Sequence, residues 1–126
     1  TRFVMAGTGD LLPQTMARVG ALGMARSFSF PGFLRGREIA RAFRSADVFV
    51  MPSRREPFGL AALEAAVWGV PAVIPRDAGV AEVLQRGAVH TDPADAAQVA
   101  SEVTALLGNP HRGLALLRAA RLRDGS

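Results

Sequence analysis

Two continuous apolar runs, separated by one helical segment, constrain the fold of this chain most. Val48-Phe49-Val50-Met51 and Val70–Ile74 carry no charge, which suits strands that are buried on both faces of a sheet. The segment between them is rich in alanine and leucine and predicts a helix over Phe58–Trp68 that ends at Gly69. Buried strands joined by a helix are typical of a parallel βαβ unit.

The same alternation of short apolar runs and longer helical ones continues along the whole chain. The pattern predicts a doubly wound, Rossmann-like α/β fold, in which a parallel sheet carries helices on both faces. The predicted strands are residues 3–6, 27–30, 48–51, 70–74 and 88–90, and the predicted helices are residues 11–22, 37–46, 58–68, 77–84, 94–107 and 113–123.

Length and composition fit one domain and exclude several kinds of chemistry. The chain has 126 residues, 49% of them hydrophobic, so we expect residues 1–126 to form one domain with a core of its own. Absence of cysteine excludes disulfides and cysteine–zinc sites. All 15 basic residues are arginine, so a lysine Schiff base is excluded as well.

The charge pattern does not favour a nucleic-acid partner. Arg37, Arg41 and Arg44 form a stripe at helical spacing, which usually indicates a solvated face. An anionic membrane surface is the alternative partner for such a stripe. No targeting segment or membrane-spanning run is present in the sequence, and we expect a cytoplasmic protein.

The loops that follow the strands are where a ligand is expected, because α/β sheets bind ligands at the carboxyl ends of their strands. Gly7-Thr8-Gly9 occupies such a loop. It is a weak dinucleotide fingerprint, because Leu12 stands where the third glycine would be and no acidic ribose partner follows at the usual distance. A tight turn that requires glycine explains the segment equally well.

The loop after the third strand offers an anion site at the start of a helix. Pro57 suits the first helical position. The backbone N–H groups of Phe58, Gly59 and Leu60 would then point out of the helix start, where a phosphate is favoured. Glu56 lies just outside that start.

Glu64 is the only charged residue between Pro57 and Pro75. We expect this helix to be largely buried, and a carboxylate on such a helix needs hydrogen-bond donors, for which ligand hydroxyls are suitable. Seven residues beyond Pro57, it would stand about 10 Å along the helix axis, roughly the span of a diphosphate with a sugar at each end.

The glutamate pair and its surroundings resemble a known family. Glu56 and Glu64, with seven residues between them, look like the glutamate pair of retaining GT-B glycosyltransferases of the "glycosyl transferases group 1" family. The matching segments in chain order are residues 3–9, Phe30-Pro31-Gly32-Phe33-Leu34, Ser45–Ser53, Glu56–Leu60, Glu64-Ala65, Ala78-Gly79 and Glu82-Val83.

The resemblance implies a donor site for a nucleotide-diphosphate sugar in the C-terminal half of a GT-B enzyme, which would be bacterial and cytoplasmic. Glu56 would be catalytic and contact the transferred sugar, and Glu64 would bind the ribose hydroxyls. The amides of Phe58, Gly59 and Leu60 would meet the diphosphate or sugar. Leu34 would lie beside the base, and Gly9 would also border the donor. The family needs no metal or other cofactor, and transfer would proceed with retention.

The resemblance also implies that parts of the enzyme lie outside this chain. The family has a first strand and helix before the segment that begins here at Thr1, with cationic residues that hold the diphosphate, and an N-terminal domain that binds the acceptor. We therefore expect a truncated domain that is inactive in isolation. The parent enzyme, meaning the longer protein that would contain this domain, would be a hexosyltransferase with a peripheral membrane contact as a further option. The alternative is a non-catalytic nucleotide- or partner-binding module of the same fold.

Overall fold

A computed structural model of the chain describes residues 2–6, 12–51, 60–76, 81, 84, 87–92 and 94–123. It divides into two units, Thr1–Ala42 and Phe43–Ser126, and each unit has a parallel sheet of its own. The strands are β1 (Phe3–Ala6), β2 (Phe28–Gly32), β3 (Phe49–Val50), β4 (Ala72–Pro75) and β5 (Val89–Thr91). The helices are α1 (Leu12–Ala21), α2 (Arg37–Ser45), α3 (Leu60–Val67), α4 (Ala96–Gly108) and α5 (Pro110–Arg123).

The first unit is built on the parallel pair β1-β2 with α1 between the two strands in sequence. Phe3 pairs with Phe28, and their rings stack with centroids 4.6 Å apart. Phe30, two residues further along β2, stacks on Phe28 at 5.9 Å. Side chains two residues apart lie on the same face of a strand, so the alternation of phenylalanine and serine in this segment produces one aromatic face, as the sequence predicts.

The second unit has the strand order β3-β4-β5, and both pairings are parallel. All four residues of the central strand β4 are buried. Ala72 and Ile74 pack in one core cluster with Ala62 of α3, and Val73 packs in a second cluster with Leu106 of α4. Successive side chains of a strand point to opposite faces, so β4 separates two cores and the sheet is covered by helices on both sides.

The neighbouring strand β3 and the residues beside it repeat this alternation. Phe49 and Met51 pack on the α3 side, and Val48 and Val50 pack on the side of α4 and α5. The backbone N–H of Met51 donates to the carbonyl oxygen of Val73 at 2.9 Å, so the ladder continues one residue beyond β3. The apolar run that the sequence assigns to a doubly buried strand is therefore confirmed as one.

Two glycines have local structural reasons for their positions. Gly69 has a φ of 79° and ends α3. Its N–H donates to the carbonyl oxygen of Ala66, and the N–H of Val70 donates to the carbonyl oxygen of Ala65. This is the Schellman arrangement, and it confirms the predicted end of the helix. Gly113, predicted to begin the last helix, instead lies buried inside α5, where a Cβ would come 3.2 Å from Cγ of Pro71.

The prediction for the start of α5 was wrong because the glycine was interpreted as a helix boundary, whereas it permits close packing. The helix begins at Pro110, and Asn109 caps it by accepting a hydrogen bond from the N–H of Arg112. The other predicted strands and helices occur within a few residues of their expected bounds. In the predicted helix over residues 77–84, Ala81 and Leu84 are helical and buried, and the remainder lies outside the described residues.

None of the helices in the described parts of the chain combines the length and apolar character needed to cross a membrane.

The double burial of β4 makes a direct prediction for stability. Ile74 is 0% exposed, so Ile74→Ala should lower the free energy of unfolding by about 2–5 kcal/mol through lost burial and a cavity. Val67, which is 79% exposed, offers a matched control. Val67→Ala should change the free energy of unfolding by no more than about 0.5 kcal/mol. Urea unfolding monitored by circular dichroism measures both. Equal effects of the two substitutions would contradict the assigned core.

Candidate functional site

The carboxyl ends of the three strands in the second unit define the edge at which a ligand is expected. The strands are parallel, so β3, β4 and β5 end at the same edge of their sheet. Met51, Arg76 and Asp92 follow the three strand ends directly. Helix α3, which follows β3, must begin near this edge and run back across the sheet, as in any βα unit.

Glu64 lies in the second turn of α3 and is exposed. The prediction that the helix carrying it is largely buried was wrong, because Ala61 and Val67 are exposed as well. Ala62 and Ala65 of this short helix are 0% exposed, and Ala62 packs in the core cluster that contains Ala72 and Ile74 of β4. The apolar residues around Glu64 in the sequence include Val67 and Trp68, which are exposed as well, so local hydrophobicity did not indicate burial.

The carboxylate of Glu64 has no hydrogen-bond or ion-pair partner among the residues that the structure describes. Its backbone carbonyl accepts the N–H of Trp68 at 3.0 Å as part of the helix end. The side chain is therefore held on a rigid element with its acceptor oxygens available. Ligand hydroxyls remain suitable partners, although burial does not require them.

Several predicted site residues cannot be placed. Glu56, Phe58, Gly59 and Gly9 lie outside the described residues, so their predicted roles stay predictions. Leu60 is the first described residue of α3, and its predicted contact with the donor stays a prediction. In the second unit, the structure thus places one of the two predicted carboxylates.

In the first unit, Leu34 lies in the segment between β2 and α2, just beyond the carboxyl end of β2. It is half-buried, whereas its neighbour Phe33 is 64% exposed. The guanidinium of Arg35 lies 5.1 Å from the centroid of the Phe33 ring, a cation–π contact. The family resemblance implies that Leu34 lies beside a base, and the signal in the sequence for the exposed pair is an aromatic residue in a ligand-edge loop.

Arg76 is a second residue at the ligand edge that is not among the predicted site residues. It is exposed, and it directly follows the buried strand β4. Its backbone N–H donates to the carbonyl oxygen of Thr91 at 2.8 Å, which attaches it to the end of β5. The signal available in the sequence was an arginine immediately after an apolar run.

Potential metal ligands do not cluster in the described residues: no group of three histidine, cysteine, aspartate or glutamate side chains is placed to hold an ion there. The absence of a metal requirement stays a prediction.

Comparison with protein families decides the relationship of this chain. The family model for "Glycosyl transferases group 1" matches residues 1–109. The chain belongs to the glycosyl transferases group 1 family. The resemblance inferred from the glutamate pair and its surrounding motifs is thereby confirmed.

Curated relatives from this family are similar over much of the chain. It is 34% identical over 125 residues to a glycogen synthase of Mycobacterium tuberculosis, covering 98% of this chain and 30% of that protein. It is 37% identical over 84 residues to an uncharacterized glycosyltransferase of Methanocaldococcus jannaschii, covering 67% of this chain and 22% of that protein. The chain therefore spans less than a third of the length of these relatives.

Solved structures of glycosyltransferases share the fold. Anabaena HepE in complex with UDP superposes with a TM-score of 0.86 at 19% identity, covering 99% of this chain and 36% of that one. WaaG, a glycosyltransferase involved in lipopolysaccharide biosynthesis, gives a TM-score of 0.83 at 19% identity, covering 100% and 34%. At this identity the comparison establishes the α/β fold class that the sequence predicts.

The exposure of Glu64 makes a prediction that separates a binding role from a structural one in this family member. Because the carboxylate is exposed and has no described partner, Glu64→Ala should leave the free energy of unfolding within about 0.5 kcal/mol of the native value. A buried, hydrogen-bonded carboxylate would instead cost several kcal/mol when removed. Urea unfolding of the variant and the native chain distinguishes the two cases.

Proposed function

We propose that this chain is the donor-binding domain of a glycosyltransferase that transfers a sugar from a nucleotide-diphosphate sugar to an acceptor. The observation that carries the proposal is Glu64: an exposed carboxylate without a described partner, on the helix that follows β3 at the ligand edge. Family membership over residues 1–109 supports it. So does the presence of UDP and glucose, or of UDP-glucose, in complexes of the structural neighbour HepE.

The roles we propose follow from the family motif, position by position. Glu64 accepts hydrogen bonds from the ribose diol, and Glu56 contacts the transferred sugar near its reacting carbon. The amides of Phe58, Gly59 and Leu60 bind the diphosphate or sugar at the helix start, where backbone N–H groups have no partner within the helix. Leu34 lies beside the base, and Gly9 borders the donor.

We further propose that transfer occurs with retention and without a metal. The donor phosphate would assist departure of the sugar, and the protein would supply positioning and electrostatic stabilisation. The acceptor would be bound by an N-terminal domain of the parent enzyme, so the isolated chain should have little or no transfer activity.

The domain boundary is also a proposal. Among the described strands, β1 has one hydrogen-bonded neighbour, β2, and its other edge is free. A pair of parallel strands is marginal on its own, and Val4 of β1 is 60% exposed. In the common doubly wound order the first strand lies beside the second, so a strand that precedes Thr1 in the parent enzyme would pair with this edge of β1.

Two further proposals concern the location of the parent enzyme and its contact with membranes. We propose a cytoplasmic location and, through the arginine stripe of α2, a peripheral contact with anionic membranes. Arg37, Arg41 and Arg44 are all exposed, and Arg44 also stacks over Trp68 at 5.3 Å from the ring centroid.

Calorimetric titration with UDP, GDP and ADP tests the proposed class of ligand. At least one of them should bind, either to this chain or to a longer version that restores the preceding strand. If none binds the longer version at millimolar concentration, the proposal is wrong. If one binds but the parent enzyme transfers no sugar, the non-catalytic nucleotide-binding module is the correct alternative.

The role of Glu64 can be tested through the ribose alone. A carboxylate that accepts hydrogen bonds from the diol should favour UDP over 2′-deoxy-UDP, and Glu64→Gln should lower UDP affinity by about tenfold and remove that preference. Glu38→Gln is the matched control, since Glu38 is another exposed glutamate on a helix. A Glu64 variant that retains the full preference for UDP would exclude the proposed contact.

A further inference from the structure

The site described above lacks an identified side-chain cation. A nucleoside diphosphate carries several negative charges, and the chain contains no lysine, because all 15 of its basic residues are arginine. Backbone amides at a helix start contribute partial charges only. An arginine at the ligand edge would supply a full charge and a planar pair of donors that matches phosphate oxygens.

Arg76 occupies that edge in the second unit. β4 ends at Pro75, which pairs with Thr91, and the N–H of Arg76 then donates to the carbonyl oxygen of Thr91. Thr91 is itself buried, and its hydroxyl donates to the carbonyl oxygen of Ile74 at 3.3 Å. The backbone of Arg76 is therefore fixed by the last rung of a buried ladder, although its side chain is exposed.

Strand alternation indicates the side of the sheet on which Arg76 lies. Ala72 and Ile74 pack in the cluster that contains Ala62 of α3. Arg76 comes two residues after Ile74, just as Ile74 comes two residues after Ala72. Its N–H still belongs to the ladder with β5. It is thus placed at the carboxyl edge on the side of α3, the helix that carries Glu64.

Three other arginines of the second unit have described side chains, and they are placed differently. Arg44 stacks over Trp68, and Arg112 forms an ion pair with Glu102 at 2.7 Å. Arg118 lies on α5, well along the helix from its start at Pro110. No carboxylate of the described residues lies within ion-pair distance of the Arg76 guanidinium.

We propose that Arg76 binds the diphosphate of the donor, on the same side of the sheet as the ribose contact of Glu64. This inference rests on the proposed function and assigns the cation of that site. When the sugar is transferred, the bond from its anomeric carbon to the diphosphate oxygen breaks and the electron pair stays on that oxygen. The acceptor hydroxyl oxygen forms the new bond to that carbon, and its proton passes to the departing phosphate. Arg76 stabilises the negative charge that grows on the diphosphate.

The test compares ligands that differ only in their phosphates. UDP, UMP and uridine, or the guanosine or adenosine series if GDP or ADP is the diphosphate that binds, are titrated into the protein and into Arg76→Gln, Arg76→Lys, Arg118→Gln and Glu64→Gln. Arg76→Gln should lower UDP affinity by about tenfold and leave uridine affinity unchanged, because only the phosphate contact is lost. Arg76→Lys should recover part of the loss, since it restores charge without the planar pair of donors. Arg118→Gln is the matched surface control and should bind UDP as the native protein does.

The outcomes separate this inference from the function on which it rests. If Glu64→Gln weakens UDP binding and Arg76→Gln does not, the donor site stands and the assignment of Arg76 is wrong. If Arg76→Gln weakens uridine as much as UDP, the residue does not act on the phosphates, and the assignment is again overturned. If none of UDP, GDP and ADP binds the native chain or the longer version that restores the preceding strand, both proposals fail. Thermal unfolding of each variant confirms that the fold is intact, as expected for exposed side chains.

Discussion

The second unit depends on the burial of β4 on both of its faces. Three successive residues of this strand alternate between two cores, with Ala72 and Ile74 facing α3 and Val73 facing α4. A shift of one residue in its register would exchange the two sets of side chains, so the packing of both layers fixes the register. That register in turn determines which residue emerges at the ligand edge, and on which side. The position of Arg76 is a consequence of this constraint.

The helix that carries Glu64 shows how packing makes a polar side chain available. Ala62 and Ala65 are fully buried, and the small side chain of Ala62 packs in the core cluster with Ala72 and Ile74 of β4. The side that faces away from this contact exposes Glu64 together with Val67. A rigid element therefore holds the carboxylate, while its oxygens need no partner within the described protein. This arrangement suits a contact to ligand hydroxyls.

The proposed Arg76 contact would give the site a cation in addition to those that the family resemblance implies. The resemblance implies that cations preceding Thr1 hold the diphosphate, which leaves this chain without a cation of its own. The ladder between β4 and β5 places an arginine at the same edge, and the absence of lysine in the chain then has less consequence for phosphate binding. Both sources of charge are compatible with one site, because the leaving diphosphate has several oxygens to satisfy.

The sequence by itself determined the order of strands and helices, the parallel fold and the family. Apolar runs such as Val48–Met51 and the glycine stop at Gly69 depend on local chemistry, which can be read without coordinates. The ordered motifs around Glu56 and Glu64 were sufficient to identify the family. Tertiary packing decided the exposure of Glu64, because only the helix orientation reveals that alanines form the buried side. It also decided the place of Arg76 and the burial of Gly113, since both depend on contacts with residues distant in sequence, Thr91 and Pro71.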